Sequence, residues 1–415
     1  MAERPGLEEL LGTEGQKTVD ALGPAEGIVG VCALNQARSV GQVVEVAATG
    51  LSTALAGRAG AVLVVDAGFR EDTRASIEAW AAGRSAGPPV RCVQISGPPN
   101  RSRAVLAALA AAHHLQVRAC ALVDAGLTSL KPEGVVGLLQ PVLADEADYV
   151  GPAYTHTVAE GTLTTNLLAP MCRALYGLRV QQLLGGCAGL SERLAARLVE
   201  AEPRQGDAAD HGLEMRLILE AIAGGDRIRE VHMGRKVLDP GLAPPDLAAT
   251  IARVVGPFFQ AMERYRTLWQ DVRGSTPVQR SGDAPTVLSE AGDINLDRMV
   301  RAFKLGLKDL LPIWEQAFQE ETLAGLYPLG LLTSDEFEFP VSLWVRLICD
   351  AAVAYHEHRL PHDHLLRALA PLYLGRVAGF MRQTELGPPS RIPAILEGIG
   401  QAFEAEKDGL RARWR

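Results

Sequence analysis

Two aspartates close apolar runs in this chain, at places where a carboxylate can work on a ligand. Ala121-Leu122-Val123 stops at Asp124 and turns through Ala125-Gly126 within ALVDAGLTSL, residues 121–130. Ala61–Val65 stops in the same way at Asp66-Ala67-Gly68. Such an Asp is an oxygen donor for a hard cation. It can equally cap its own turn by accepting from the backbone two residues on, and for either residue alone both readings stand. His356-Glu357-His358 and His362-Asp363-His364 look metal-like. The two His of each triplet are two apart, however, so on a helix they diverge, and a solvated turn between helices is the expectation. Cys32, Cys92, Cys120, Cys172, Cys187 and Cys349 include no CxxC pair and read as reduced thiols rather than a zinc site or disulfide framework.

The elements that must position the two acids repeat in order. Gly27–Leu34 reads as a buried strand, and Val40–Ala56 as a helix. Ala61–Val65 is followed by a helix capped at Asp72-Thr73. Val90–Ile95 leads through Ser96-Gly97-Pro98-Pro99 to an Ala-rich helix over 103–113. The fourth strand is the stretch ending at Asp124, with Pro132 in the first turn of the next helix. Strand and helix in alternation predict βαβ units and a mainly parallel sheet. Ligands of such sheets bind beyond the carboxyl ends of the strands, where Asp66 and Asp124 fall.

From residue 149 the pattern loosens. A strand is expected over 148–154, a helix from Thr162 through Gly177, and a glycine turn over 185–191 leading into another helix. A helix over 212–222 and a strand over 229–233 precede Gly234-Arg235-Lys236. Beyond Pro240 the apolar spacing is helical nearly throughout. Residues 274–292, rich in Ser, Pro, Gly and Asp, read as a loop. The expected organisation is a mobile N-terminal arm over 1–25 holding one short helix at 7–11, an α/β domain over 26–242, and an all-helical region over 243–415. Trp269, Trp314, Trp344 and Trp414 are expected as core or subunit-contact anchors.

Composition narrows the classes. The 415 residues are 47% hydrophobic and 22% charged, enough to bury a sizeable core. With 41 basic and 49 acidic residues the net charge is −8, which argues against a phosphate-backbone partner, so no nucleic acid is expected. No apolar run approaches the roughly 18 residues that span a bilayer. The first residues, MAERPGLEELLGTEGQK, lack the apolar core of a signal peptide, and a cytoplasmic location is expected. The abundance of Ala, Gly and Arg fits a GC-rich bacterial genome.

Over residues 27–240 the chain resembles the GT-A glycosyltransferases, in particular the retaining group that includes glucosyl-3-phosphoglycerate synthase and mannosylglycerate synthase. The resemblance lies in VVDAG followed by DTR, SGPP, ALVDAGLTSL, TLTTN…RALYG, the glycines at 185–186, EAIAGG, and GRK at 234–236. It implies a nucleotide-diphospho-sugar transferase-like sheet sandwiched by helices, followed by C-terminal helices that take part in subunit contacts. In that group a divalent cation, Mg²⁺ or Mn²⁺, neutralises the leaving nucleoside diphosphate. By resemblance Asn35 and Asp66 face the nucleoside, Asp124 the metal and diphosphate, and the turn at 185–187 the acceptor and donor sugar.

The departures fall on charged places. The family's Asn-Glu is Asn35-Gln36, and its Gly-Lys-Gly is Asn100-Arg101-Ser102. Asp-x-Asp is Asp124-Ala125-Gly126, Gly-Gly-Asp is Gly185-Gly186-Cys187, and the ligand His aligns with Leu238. Asp124 is the one retained candidate ligand, so no metal or other cofactor is expected unless the degenerate site still takes Mg²⁺ or Mn²⁺. Two readings follow. One is a pseudo-glycosyltransferase, a binding or assembly component that forms a homo-oligomer or meets a protein partner through its helical half. The other is a metal-independent retaining hexosyltransferase moving sugar from a UDP-, GDP- or ADP-linked donor to a small acceptor such as a (phospho)glycerate. There Arg101, Arg103, Arg235 and Lys236 replace the cation, Glu214 orients the acceptor and Cys187 is a candidate nucleophile.

Overall fold

The computed structural model describes residues 6–68, 73–82, 87–200, 212–239, 246–282, 287–288, 294–386 and 388–414. The helix cap expected at Asp72 lies outside them. The chain divides into two compact units, the first comprising residues 1–155, 182–243 and 278–284, the second 156–181, 244–277 and 285–415.

The first unit opens with helix α1 (Leu7–Asp20), which is kinked at Gly12 and buries Leu7, Leu10, Leu11 and Val19. It thus runs well past the short helix at 7–11 read from the sequence. Strand β1 (Gly27–Ala33), helix α2 (Val40–Leu55), β2 (Gly60–Asp66), α3 (Thr73–Ala82), β3 (Val90–Gln94), α4 (Arg101–His114), β4 (Ala119–Asp124) and α5 (Pro132–Leu143) then alternate as expected. β5 (Tyr149–Thr157) enters the sheet next; α6 (Ala169–Tyr176) and the two-residue β6 (Leu178–Arg179) belong to the second unit. β7 (Cys187–Ser191), α7 (Glu192–Glu200), α8 (Gly212–Ala223) and β8 (Ile228–Arg235) follow.

The sheet order is β3-β2-β1-β4-β7-β5-β8, and all neighbours are parallel except β7, which runs antiparallel to both β4 and β5. β1, β4 and all but the first residue of β2 are fully buried, as strands covered on both faces must be. Alternate residues such as Val29, Val31, Val62, Val64, Ala121 and Val123 join the apolar faces of α2 and α5 in one core. This is the helix-covered, mainly parallel α/β sheet expected from the sequence, and a helical C-terminal region follows it.

One element differs from its sequence reading. Residues 185–191 are not all turn: Cys187–Ser191 is a buried central strand, and only Gly185-Gly186 precede it as a bend. Four of its five residues are small, and at Gly189 α5 crosses it closely. A Cβ on Gly189 would lie 2.0 Å from the Leu138 carbonyl oxygen. The strand lacks the alternation that marks most strands.

In the second unit α9 (Leu247–Arg264) and α10 (Arg266–Asp271) are followed by the short strands β9 (Thr276–Pro277) and β11 (Val287–Leu288), while β10 (Gln279–Ser281), between them in the chain, belongs to the first unit. The stretch read as a loop therefore contributes edge pairings, β9 to β6 and β11 to His156–Thr157; β10 extends the first unit's sheet beside β8. Helices α11 (Leu296–Asp309), α12 (Leu311–Ala317), α13 (Glu320–Ala324), α14 (Tyr327–Leu331), α15 (Val341–His356), α16 (His362–Arg367), α17 (Ala370–Glu385) and α18 (Ile392–Arg413) complete it. Trp269, Trp314, Trp344 and Trp414 are buried in its core. Three of their indole N–H groups donate to the carbonyls of Met262, Ala368 and Asn166. On α6, Arg173 grips Glu397 and Glu404 of α18.

The close crossing of β7 and α5 has a measurable consequence. Gly189→Ala should destabilise the chain by about 1–3 kcal/mol, at the upper end of that range because the obstruction is backbone. The urea midpoint of unfolding checks this; an unchanged midpoint would mean that the helix and strand are not in such close contact.

Candidate functional site

The strand ends build one pocket, and a guanidinium fills its centre. Asn100 caps α4, its side chain accepting from Arg103 N at 3.1 Å, which places Arg101 at the first helical position. Arg101 reaches from there to two carboxylates. Its Nη1 lies 2.7 Å from Asp124 Oδ2 at the end of β4, and its Nε and Nη2 lie 3.0 and 2.9 Å from Glu214 Oε1 on α8. All three side chains are largely buried. Burial works against the Arg101 charge, but Glu214 and Asp124 outweigh it and hold the pKa above that of an ordinary arginine.

The other oxygen of Asp124 is also fully engaged. Oδ1 accepts from Gly126 N at 2.7 Å and from Gln36 Nε2 at 3.0 Å. Gln36 is itself fixed, because its Oε1 accepts from Leu34 N at 3.2 Å. The amide occupies the space that a side chain at 126 would need: a Cβ there would lie 2.3 Å from Gln36 Nε2. Gly126 and Gln36 are therefore one packing solution.

Cys32, Tyr149, Gly186, Cys187 and Leu217 also line this pocket, whose free space is about 20 Å³. That suffices for about one water molecule. Tyr154, unremarked in the sequence, holds the rim by donating to Gly185 O at 2.8 Å, with its hydroxyl 3.3 Å from Cys187 Sγ. Burial pushes the Cys187 thiol up to about 12, although its contacts with Tyr154 and Lys236 pull the other way. The thiol is protonated near neutral pH, whereas nucleophilic attack requires a thiolate.

The remaining sequence candidates are dispersed. Arg103 turns away, its Nη2 donating to Ser96 O at 2.8 Å. Lys236 donates to Leu184 O at 3.2 Å and lies over the Tyr154 ring, and Arg235 is exposed on β8. Asp66 is buried and accepts from Gly68 N, the turn-capping geometry, beside Asn35 at the neighbouring strand end. Position 238 does run along the Asp124 turn, with Leu238 bridged to Leu127 and Asp239 N donating to Gly126 O at 2.8 Å. The Leu238 side chain nonetheless points outward and is 46% exposed. In the second unit, His356 pairs with Glu263 and stacks on Trp414, while His362 stacks on Tyr355.

The donor set does not fit a divalent cation. Among the described residues no three His, Cys, Asp or Glu side chains converge. The carboxylate at the head of the pocket already accepts two hydrogen bonds and an ion pair. A hard cation needs six or so oxygens, and a guanidinium at 2.7 Å from the first of them opposes its entry.

No family model matches the chain, and no curated protein matches it. Among solved structures, glucosyl-3-phosphoglycerate synthase from Mycobacterium tuberculosis in complex with Mn²⁺, uridine diphosphate and phosphoglyceric acid is similar at 21% identity. The match covers 59% of this chain and 81% of that one with a TM-score of 0.45. The same synthase with Mg²⁺ and uridine diphosphate gives 21%, 60%, 83% and 0.43. A mycobacterial protein gives 22%, 59%, 77% and 0.44. The chemistry open to this pocket follows from its own residues.

Arg101→Ala leaves two buried carboxylates without their cation and should cost about 3–5 kcal/mol. The combination of Arg101→Met, Asp124→Asn and Glu214→Gln removes charge from all three and should recover most of that loss in the same denaturation measurement. Separately, iodoacetamide at pH 8 should leave Cys187 unmodified in the folded chain. Rapid alkylation at that residue, read by peptide mass spectrometry, would contradict a buried neutral thiol.

Proposed function

We propose that this chain is a glycosyltransferase-like protein that keeps the scaffold of a nucleotide-sugar transferase without its metal-assisted chemistry, and serves as a binding or assembly component. One observation carries the reading: the Arg101 guanidinium is bound between Asp124 and Glu214 in a pocket with room for little more than water. Metal-assisted transfer needs an open cage of oxygens and space for a diphosphate. Here the first acid of that cage is neutralised from within. The charge of Arg101 is not available to a phosphate either, since two carboxylates already share it. That weakens the metal-independent hexosyltransferase reading, in which Arg101, Arg103, Arg235 and Lys236 together replace the cation.

The helical region is the part assigned to assembly. Leu305, Tyr327, Leu331 and Leu386 are large apolar side chains there that remain exposed, Leu331 to 86%. Exposed apolar side chains of this size favour contact with another surface when they adjoin one another.

Titration calorimetry of the full chain with UDP-, GDP- and ADP-glucose, with and without Mn²⁺, tests the proposal. No binding that depends on Mn²⁺ is expected. Tight Mn²⁺-dependent binding of any donor would overturn it. Metal-independent binding followed by release of nucleoside diphosphate would favour the hexosyltransferase.

A further inference from the structure

The helical unit also holds arginines that make no ion pair among the described residues. A cavity of about 370 Å³ is lined by Arg382, Gln383, Arg391, Phe339, Val341 and Leu386. Arg382 donates from Nη2 to the Asp335 carbonyl, and its Nε is buried without a partner. Next to the Phe339 wall lies Arg376, fully buried, which donates from Nη1 to Phe339 O at 3.1 Å. Its Nε and Nη2 have no partner. Burial alone acts on it and pulls its pKa down to about 10.

The ion pairs among the described residues include none for Arg376, Arg382 or Arg391, whereas Arg101, Arg173 and Arg413 each hold carboxylates. Helix α15 begins at the same cavity. Its cap is Pro340, which offers no side-chain acceptor, and no acid lies in its first turn. Its first amides and the positive end of its dipole are thus left uncapped by any side chain. Arg376 stands behind the wall; of the lining arginines, Arg382 keeps a buried Nε without a hydrogen-bond partner, and an anion in the cavity would offset that cost. Phe339, Pro340, Val341 and Leu386 give the lining an apolar side. Glu338, exposed at the edge, is the single acid among the described lining residues and works against an anion.

We propose that this cavity binds a small phosphate monoester with an apolar substituent. The phosphate sits between Arg382, Arg391 and the start of α15, and the substituent packs against Phe339, Val341 and Leu386. Guanidinium forks match phosphate oxygens in a bidentate manner, and helix starts favour the same charge. The site shares no residue with the strand-end pocket, so its fate is separate from that of the proposed function.

Calorimetry on the full chain with phenyl phosphate and inorganic phosphate, at matched ionic strength, tests it. Phenyl phosphate should bind saturably and more tightly than inorganic phosphate. Arg391→Gln, at an exposed position, should weaken binding about tenfold or more through loss of a charge-assisted contact. Arg382→Gln with Arg391→Gln should abolish binding, and Glu338→Gln should tighten it. Absence of saturable binding by the wild-type chain, or phenyl phosphate affinity unchanged in Arg391→Gln, would overturn the proposal.

Discussion

The buried ion triad of Asp124, Arg101 and Glu214 is the constraint on which the strand-end pocket depends. It joins the end of β4, the first residue of α4 and the start of α8, three elements far apart in sequence. A cation at a helix N-terminus is unfavourable with respect to the helix dipole. Two carboxylates in nearly dry surroundings reverse that preference. The turn before α4 is fastened to suit. Ser96 N donates to Leu10 O, Ser96 O accepts from Arg103, and Asn100 caps the helix. The first turn of α4 is thereby fixed so that Arg101, and not Arg103, enters the pocket.

With a guanidinium in place, the neighbouring residue types follow. Asp124 has one oxygen toward Arg101 and another that must find donors from within the protein. Gln36 and the Gly126 amide supply them. A glutamate at 36 would set a second charge against Asp124 where an amide donates. A side chain at 126 would expel Gln36 from its place. Gln36, Asp124 and Gly126 are one arrangement read at three positions.

Much of this architecture was legible in the chain. Apolar runs closed by Asp66 and Asp124 located the strand ends, since a short unbroken apolar run halted by a carboxylate suits a strand covered on both faces. Pro132 and the Ala-rich α4 marked helices through backbone chemistry that tertiary context leaves intact. The antiparallel β7 was not legible, because Gly189 answers to the backbone of α5 and the strand shows no period-two pattern. Arg101 was visible as a charge near a glycine-proline turn. Its two partners lie 23 and 113 residues away, and no local signal announces that it points inward while Arg103 points out. Tyr154 gave no sign, since a tyrosine in a strand is ordinary until its hydroxyl is seen against Gly185.

Charge also accounts for Cys187. The pocket holds two carboxylates and one guanidinium, with Lys236 at its rim held by a backbone carbonyl. An aspartate at 187 would add a third negative charge with Tyr154 as its nearest donor. A neutral thiol instead contacts the Tyr154 hydroxyl and the Met233 sulfur, and lets β7 pack among apolar neighbours. A metal cage tolerates several acids because the ion supplies two positive charges at its centre. A guanidinium supplies one, spread over three nitrogens, so a pocket built around it balances fewer acids. Gly126, Gln36 and Cys187 are the residues expected of a site whose cation is covalently part of the chain.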